Sequence, residues 1–410
     1  MLFRFHTPFR PCVRTSRRLL FLLACLIGAT PVAYAQIDKL PHPDTTSGNF
    51  FGVAVSVDGN RALVGASSED TCADNAGAAY LFEKDAETHH WRRVAQLMPT
   101  DCLLGLFFGR SVSLSGDRAL VAAAAEFYAA KTSNAAYIFE RDTTGTWVQK
   151  AKLTIDTEED EGPFAASVSL DGDRALVTTW GDPSGGRYGG AAYLFERDAT
   201  TGRWVKKARL TGSRGLRAGI FGGAAALQGD QAVVASSSYF RYEPGSVYIF
   251  ERDPATDTWY EAACFGAIDD FFISVDLERD RVLVGESKDG RRETGAATLY
   301  TRDAKGTWHL AARLQPPTPY DHGGFGSAVS LSGDRALVVG YDEQLRLDFN
   351  IDRVVYVFAY EAETDTWAYQ TIIDIGQVAF GTAIDLDDKV ALIGDASERQ
   401  PGAAYVVRLR

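Results

Sequence analysis

Apolar positions along this chain follow a period of two, not the 3.6 of a helix. Phe51 to Val57 alternates and stops at Asp58-Gly59, a two-residue hairpin signal. Arg61 to Gly65 is a short apolar run. Ala78 to Phe82 is a third, rich in aromatic residues. Trp91 to Leu97 alternates again. Short segments of this kind, separated by Gly, Asp and Asn, predict four half-buried strands.

The same four-strand pattern returns throughout the chain. Gly-Asp-Arg-Ala-Leu-Val occurs at 116–121, 172–177 and 333–338, with near copies from Gly59, Gly229, Arg279 and Asp387. Ala-Ala-Tyr-Leu-Phe-Glu occurs at 78–83 and 191–196, with variants at 135–140, 246–251, 296–301, 354–359 and 403–408. A tryptophan opens the fourth segment at 91, 147, 204, 259, 308 and 367. Four strands in each of seven copies predict an all-β fold, a seven-bladed β-propeller of four-stranded antiparallel blades. The predicted blades span 49–97, 107–153, 163–210, 220–265, 271–314, 325–373 and 380–410 plus 36–44.

The chain ends carry the closure. The seventh copy stops at Leu409-Arg410 without a tryptophan strand. Gln36-Ile37-Asp38-Lys39-Leu40-Pro41 resembles the end of a fourth strand, Ala95-Gln96-Leu97-Met98-Pro99. The segment 36–44 is therefore expected to complete blade 7 and remove an open sheet edge. Small residues such as Gly52, Ala54, Ser56, Gly109 and Ser113 suit a crowded innermost strand. The repeated tryptophans suit the rim between blades. Full burial of one would contribute at most roughly 4–6 kcal/mol.

Phe51-Gly52, Phe108-Gly109, Phe221-Gly222, Phe325-Gly326 and Phe380-Gly381 open their copies; Phe164-Ala165 is a relic of the same pair, and Phe271-Phe272 stands at the remaining start. With Val64-Gly65-Ala66 and Gly77-Ala78-Ala79-Tyr80, these motifs resemble the FG-GAP repeat over essentially the whole chain after residue 35. That repeat forms the seven-bladed propeller of integrin α chains, and many exported bacterial proteins carry versions of it. The resemblance implies the fold and leaves the function open. Several blades of the integrin-like family hold Ca²⁺ in an Asp-rich loop between the first two strands. Here that connection is a tight turn with at most two carboxylates, whereas Ca²⁺ needs about six to eight oxygens. No metal site and no cofactor are expected; Asp and Gly serve as turn residues.

Residues 1–35 read as a signal peptide. Five arginines and no acid precede the apolar stretch 19–29, and Ala33-Tyr34-Ala35 forms a small-residue cleavage site. Two other export readings stay open. Ser16-Arg17-Arg18 resembles a twin-arginine signal, and Leu22 to Cys25 a lipoprotein box. The protein is thus expected to be exported: periplasmic, secreted or on the cell surface. No later stretch is long and apolar enough for a membrane span. The formal charge is −12, which disfavours nucleic acid as a partner. A monomer is expected.

Loops joining the second and third strands, and the loops between blades, vary in length and share one face of the predicted ring. Binding residues concentrate on such loops over a rigid scaffold. Trp180 and Asp182 in blade 3, Tyr341 and Asp342 in blade 6, Tyr128 in blade 2, and Tyr239 and Tyr242 in blade 4 form the candidate ligand-binding set. Aromatic rings beside carboxylates could stack on sugars or grip cationic groups, or simply pack within their own loops. Glu158 to Glu161, Arg214, Arg217, Arg291 and Arg292 read as solvated charge. Cys72 and Cys102 fall on the same face and are a candidate disulfide, with free thiols the alternative. Cys264 has no evident mate.

No catalytic motif is present: no nucleophile elbow, phosphate loop or metal-type histidine spacing. The expected role is a binding or adhesion module for a carbohydrate or protein ligand, acting through the variable face. A secreted carbohydrate-active enzyme and a scaffold in an envelope assembly are the alternatives.

Overall fold

A computed structural model describes residues 36–42, 48–123, 135–155, 164–180, 189–213, 219–238, 245–268, 273–288, 293–319, 321–342, 353–375, 380–396 and 401–410. These residues form seven four-stranded antiparallel sheets. Blade 1 contains Phe51–Asp58, Arg61–Ala66, Ala78–Lys84 and Trp91–Leu97, in that order across the sheet. The first strands of the other blades are Phe108–Ser115, Phe164–Asp171, Gly219–Gln228, Ile273–Glu278, Val329–Ser332 and Phe380–Asp387. The seven first strands touch one another in a closed cycle, the last meeting the first. They therefore surround the axis of a propeller.

Blade 7 is completed by the other end of the chain. Gln36–Lys39 pairs antiparallel with Ala403–Arg408, in the register Gln36 to Arg408 and Lys39 to Tyr405. The Leu40 amide extends the ladder by donating to the Ala404 carbonyl at 2.9 Å. This is the closure expected from the sequence.

The core lies between blades rather than within them. Leu63, Leu81 and Leu97 of blade 1 pack on Phe108, Val112, Leu114, Tyr137 and Phe139 of blade 2. Leu392, Ala404 and Val406 of blade 7 pack on Phe51, Val64, Tyr80 and Phe82 of blade 1. Each sheet is apolar on both faces, because each is covered on both sides by a neighbour.

The Phe-Gly pair fixes how each blade enters the ring. Phe51, Phe108, Phe221, Phe325 and Phe380 are buried. Phe108 meets Tyr137 and Phe139 of its own third strand edge-on, with centroids at 5.6 and 6.0 Å, a favoured aromatic geometry. The following glycine sits in a bulge of the first strand with φ near the left-handed region, 94° at Gly109. A Cβ on Gly109 would overlap the Ala78 carbonyl oxygen, and one on Gly65 would overlap the Gly109 carbonyl oxygen. Consecutive blades thus touch backbone to backbone where the motif requires glycine.

Two details differ from the sequence reading. Only Trp91 and Trp308 are buried; Trp147, Trp204, Trp259 and Trp367 stay half-buried at the edges of the inter-blade clusters. The full-burial energy therefore applies to two positions at most. The first strand of blade 6 begins at Val329, four residues after Phe325, whose backbone instead bridges Gly295 of blade 5. Phe271 and Phe272, like residues 1–35, lie outside the described residues.

Candidate functional site

The two faces of the ring have different chemistry. Hairpins between first and second strands, and between third and fourth strands, end on the regular face. There each first hairpin holds the next one. The Gly116 amide donates to Asp58, Gly172 to Ser115 at 3.0 Å, Gly229 to Asp171 at 2.6 Å and Arg279 to Gln228. Gly333 donates to Glu278 at 2.8 Å, Asp388 to Ser332 at 3.0 Å, and Gly59 to Asp387 across the closure. Four turn acids expected to have only local roles, with Ser115, Gln228 and Ser332 at the other three junctions, thus tie all seven blades into a hydrogen-bonded ring.

A charged belt lies beside it. Arg118 pairs with Glu140 of its own blade at 3.3 Å and with Asp173 of the next at 3.0 Å. Arg197 of blade 3 reaches back to Glu140 at 3.1 Å. Arg61, Arg141 and Glu83 repeat the arrangement one blade earlier. These charges are satisfied by one another, so the regular face is committed to holding the ring.

The opposite face carries the variable loops. In blade 1, Cys72 and Cys102 are joined by a disulfide, with Cα atoms 6.4 Å apart. Alongside it the Gly105 amide donates to Asp74 at 2.9 Å, Phe107 to Asn75 at 3.0 Å and Phe108 to Ala76 at 2.9 Å. The two loops form one pinned ribbon. At its tip Leu103 and Leu104 are 44% and 71% exposed.

Below the loops, hydroxyls of the third strands meet carboxyl groups. Tyr80 donates to Glu69, Tyr137 to Asp101 at 3.0 Å, and Thr298 to Glu286 at 2.9 Å. Glu69, Asp342 and Asp395 are buried. Burial, reinforced by the Asp342 charge, pushes the Tyr356 hydroxyl upward; burial likewise raises the Asp395 carboxyl, with Lys39 opposing. His42 lies against Phe51 at 4.1 Å and 3.7 Å from Glu69, linking the N-terminal segment to blade 1.

Of the candidate ligand-binding residues, Trp180 is half-buried and its indole N–H donates to the Gly222 carbonyl of blade 4 at 3.3 Å. The Tyr341 hydroxyl accepts from Arg353 Nε at 3.0 Å, and the Arg353 guanidinium lies over its ring at 5.4 Å. Asp342 is buried beside Tyr356. Trp180 belongs to blade 3, while Tyr341 and Asp342 belong to blade 6, so these side chains make separate contacts. Asp182, Tyr128, Tyr239, Tyr242, Glu158 to Glu161, Arg214, Arg217, Arg291 and Arg292 lie outside the described residues. Among the described residues no three His, Cys, Asp or Glu side chains are grouped to hold a metal ion.

Near the axis, one position of the first strand reads Ser56, Ser113, Ser169, Ala226, Asp276, Ser330 and Asp385 around the ring. Side chains here accept amides of the next blade: Leu114 to Ser56 at 3.1 Å, Leu170 to Ser113 at 3.0 Å, Leu227 to Ser169 at 2.9 Å, Leu331 to Asp276 at 2.7 Å and Val57 to Asp385 at 2.7 Å. Sequence reading placed Ser56 and Ser113 among small inner residues but missed the aspartates. Aligning the seven first strands would have exposed them.

The family model of the FG-GAP repeat matches residues 34–82, 91–139 and 147–195. No curated protein sequence matches the chain. In structure it is similar to a putative 6-phosphogluconolactonase from Bacteroides uniformis, with TM-score 0.53 and 11% identity over 79% of this chain and 85% of that one. It is also similar to a periplasmic gluconolactonase from Pseudomonas aeruginosa, with TM-score 0.49 and 13% identity over 79% and 85%. A putative 6-phosphogluconolactonase from Bacteroides fragilis gives 0.48 and 13% over 79% and 84%. Likeness at such identity concerns the fold alone. The sheet order and the ring of first strands make the chain a seven-bladed β-propeller, and it carries FG-GAP repeats at residues 34–82, 91–139 and 147–195.

Proposed function

We propose that this propeller is an exported binding module that engages a protein or carbohydrate ligand through its variable face. The observation carrying this reading is the pinned ribbon of blade 1. Leu104 is 71% exposed at the tip of two loops joined by a disulfide and three backbone hydrogen bonds. Ordering such loops beforehand lowers the entropy cost of binding. A single exposed apolar residue is ordinary, but a rigid adjacent pair on the face opposite the inter-blade ionic belt has the form of an interface anchor. The disulfide supports export, since such bonds persist in oxidising compartments.

The test places a photo-crosslinking residue at 104 and, as a control, at 117 on the regular face, in cells expressing the protein. Adducts specific to position 104, reduced by Leu103→Asp, are expected. Equal crosslinking from both positions would overturn the face assignment. A glycan array with wild type and Trp180→Ala separates the carbohydrate branch from the protein branch. Hydrolysis of an aldonolactone, lost on changing a variable-face carboxylate, would instead favour an enzyme, a reading motivated here by fold likeness alone.

A further inference from the structure

We propose that Asp276 and Asp385 hold one proton between them through Ser330, forming a proton-operated latch where blades 5, 6, 7 and 1 meet at the axis. Ser330 has too few donors for both of its carboxylate neighbours. Ser330 Oγ lies 3.1 Å from Asp276 Oδ2 and 3.5 Å from Asp385 Oδ1. A hydroxyl has one hydrogen to donate. With both carboxylates ionised, one contact is a hydrogen bond and the other sets a lone pair against an anion. One proton added to the pair turns the three groups into a donor–acceptor chain, and it removes one of two like charges.

The surroundings favour that proton. Asp276 also accepts the Leu331 amide at 2.7 Å and the Leu277 amide at 2.8 Å. Asp385 accepts Val57 at 2.7 Å and Leu386 at 3.0 Å. The facing positions on adjoining first strands are Ala226 in blade 4, Ser330 in blade 6 and Ser56 in blade 1, none of them charged. The charges acting on the pair are their own and that of Asp387. Burial, with the Asp385 charge, pushes Asp276 up to about 7. Burial pushes Asp385 up to about 6 against the pull of its amide donors.

The sign follows from linkage. An acid whose folded pKa lies above its unfolded value binds protons more tightly when folded. Its stabilising contribution is present at low pH and is lost as pH rises, here from the ordinary range near ~4 through about 6 to 7. Because Asp385 holds the Val57 amide, the pair's ionisation acts directly on the junction between the last blade and the first. The pair titrates as a unit.

Two measurements on the full chain decide this. Carbon-13 NMR of the aspartate side-chain carboxyls should show two steps, the higher above pH ~5.5, and Asp276→Asn should remove the higher one and leave a single Asp385 titration. Melting should fall by several degrees between about pH 5.5 and about pH 8.5, and Asp276→Ser, the residue type found in blades 1, 2, 3 and 6, should flatten that fall. Titration of both carboxyls below pH ~5 would overturn the latch, as would the same alkaline fall in Asp276→Ser. The NMR experiment uses wild type, so the proposal stays testable if the variants fold poorly. Neither result depends on the variable-face ligand.

Discussion

The Val57 amide of blade 1 donates to the Asp385 carboxylate of blade 7 at 2.7 Å, while Gln36–Lys39 covers the outer edge of that same blade. The ring is closed at the axis by one end of the sheet and at the rim by the other. Ile37 packs on the cluster holding Val407 and Leu409. Deleting residues 36–42 would uncover those residues and leave Ala403–Arg408 as an open edge. The expected loss is roughly 3–5 kcal/mol, from a few ladder hydrogen bonds and the exposed apolar surface. Lower melting or concentration-dependent oligomers should appear in calorimetry and size-exclusion chromatography. Unchanged melting with a monomeric elution volume would contradict the closure.

Ala165 tests what the Phe-Gly glycine does. It occupies the glycine position of blade 3 with φ 65°, and it is buried. A non-glycine residue in this region is strained by about 1–2 kcal/mol. Ala165→Gly should therefore raise the melting temperature, after the flexibility gained by the unfolded chain takes back part of that gain. Gly109→Ala should do the reverse and more, because its Cβ would meet the Ala78 carbonyl as well as the strained φ. Denaturant unfolding of both variants checks the pair; equal effects would mean the glycine matters only for space.

These positions explain what the sequence could reveal. A repeat places the same residue type at the same contact in each copy, so the strand count and the crowding of the innermost strand could be read from the recurring strings, the tryptophans and the Phe-Gly pairs. Closure could be read because Gln36 to Pro41 copies the end of blade 1. The hydrogen bond from Gly229 to Asp171 could not, because a turn-favouring Asp shows no sign of pointing at the next blade. The Asp276–Ser330–Asp385 chain needed the copies to be aligned position by position. The candidate ligand residues sit in the loops that break the repeat. There a sequence gives residue types without neighbours: Trp180 met Gly222 and Tyr341 met Arg353, partners no periodicity indicates.

The disulfide should contribute through the unfolded state. Cys72 and Cys102 are separated by 30 residues. Closing a loop of that length removes chain entropy worth roughly 3–4 kcal/mol. Cys72→Ser with Cys102→Ser should lower stability by up to that amount, with less loss if the backbone bonds at Gly105, Phe107 and Phe108 already restrain the reduced chain. Proteolysis should then cut first near Leu103-Leu104. Denaturation with and without reductant, followed by mapping of the first cleavage, checks both parts. Resistance of that bond after reduction would show the ribbon to be held without its disulfide.

A second set of carboxylates acts on stability with the opposite sign to the axial pair. Asp142 accepts the Thr144 hydroxyl at 2.6 Å and the Thr144 and Thr146 amides at 2.9 Å each. Asp198 caps Thr200 and Thr201, and Asp303 caps Lys305 and Thr307. The bonds donated by these threonines, led by the Thr144 hydroxyl at Asp142, the Thr201 amide at Asp198 and the Thr307 amide at Asp303, hold the three carboxyls below the usual carboxylate range. A depressed folded pKa gives stability that is present above the unfolded value, near ~4, and is lost as pH falls through the folded one. Asparagine keeps an acceptor oxygen for the turn but does not titrate. The triple variant Asp142→Asn, Asp198→Asn, Asp303→Asn should therefore melt within a few degrees of wild type near neutrality and lose stability less steeply below about pH 4. Its behaviour above about pH 5.5, where the axial pair acts, should match wild type. Melting temperature against pH for both proteins measures the two limbs together. An acid limb as steep in the variant as in wild type would place the acid sensitivity elsewhere, in the Arg118–Glu140 belt.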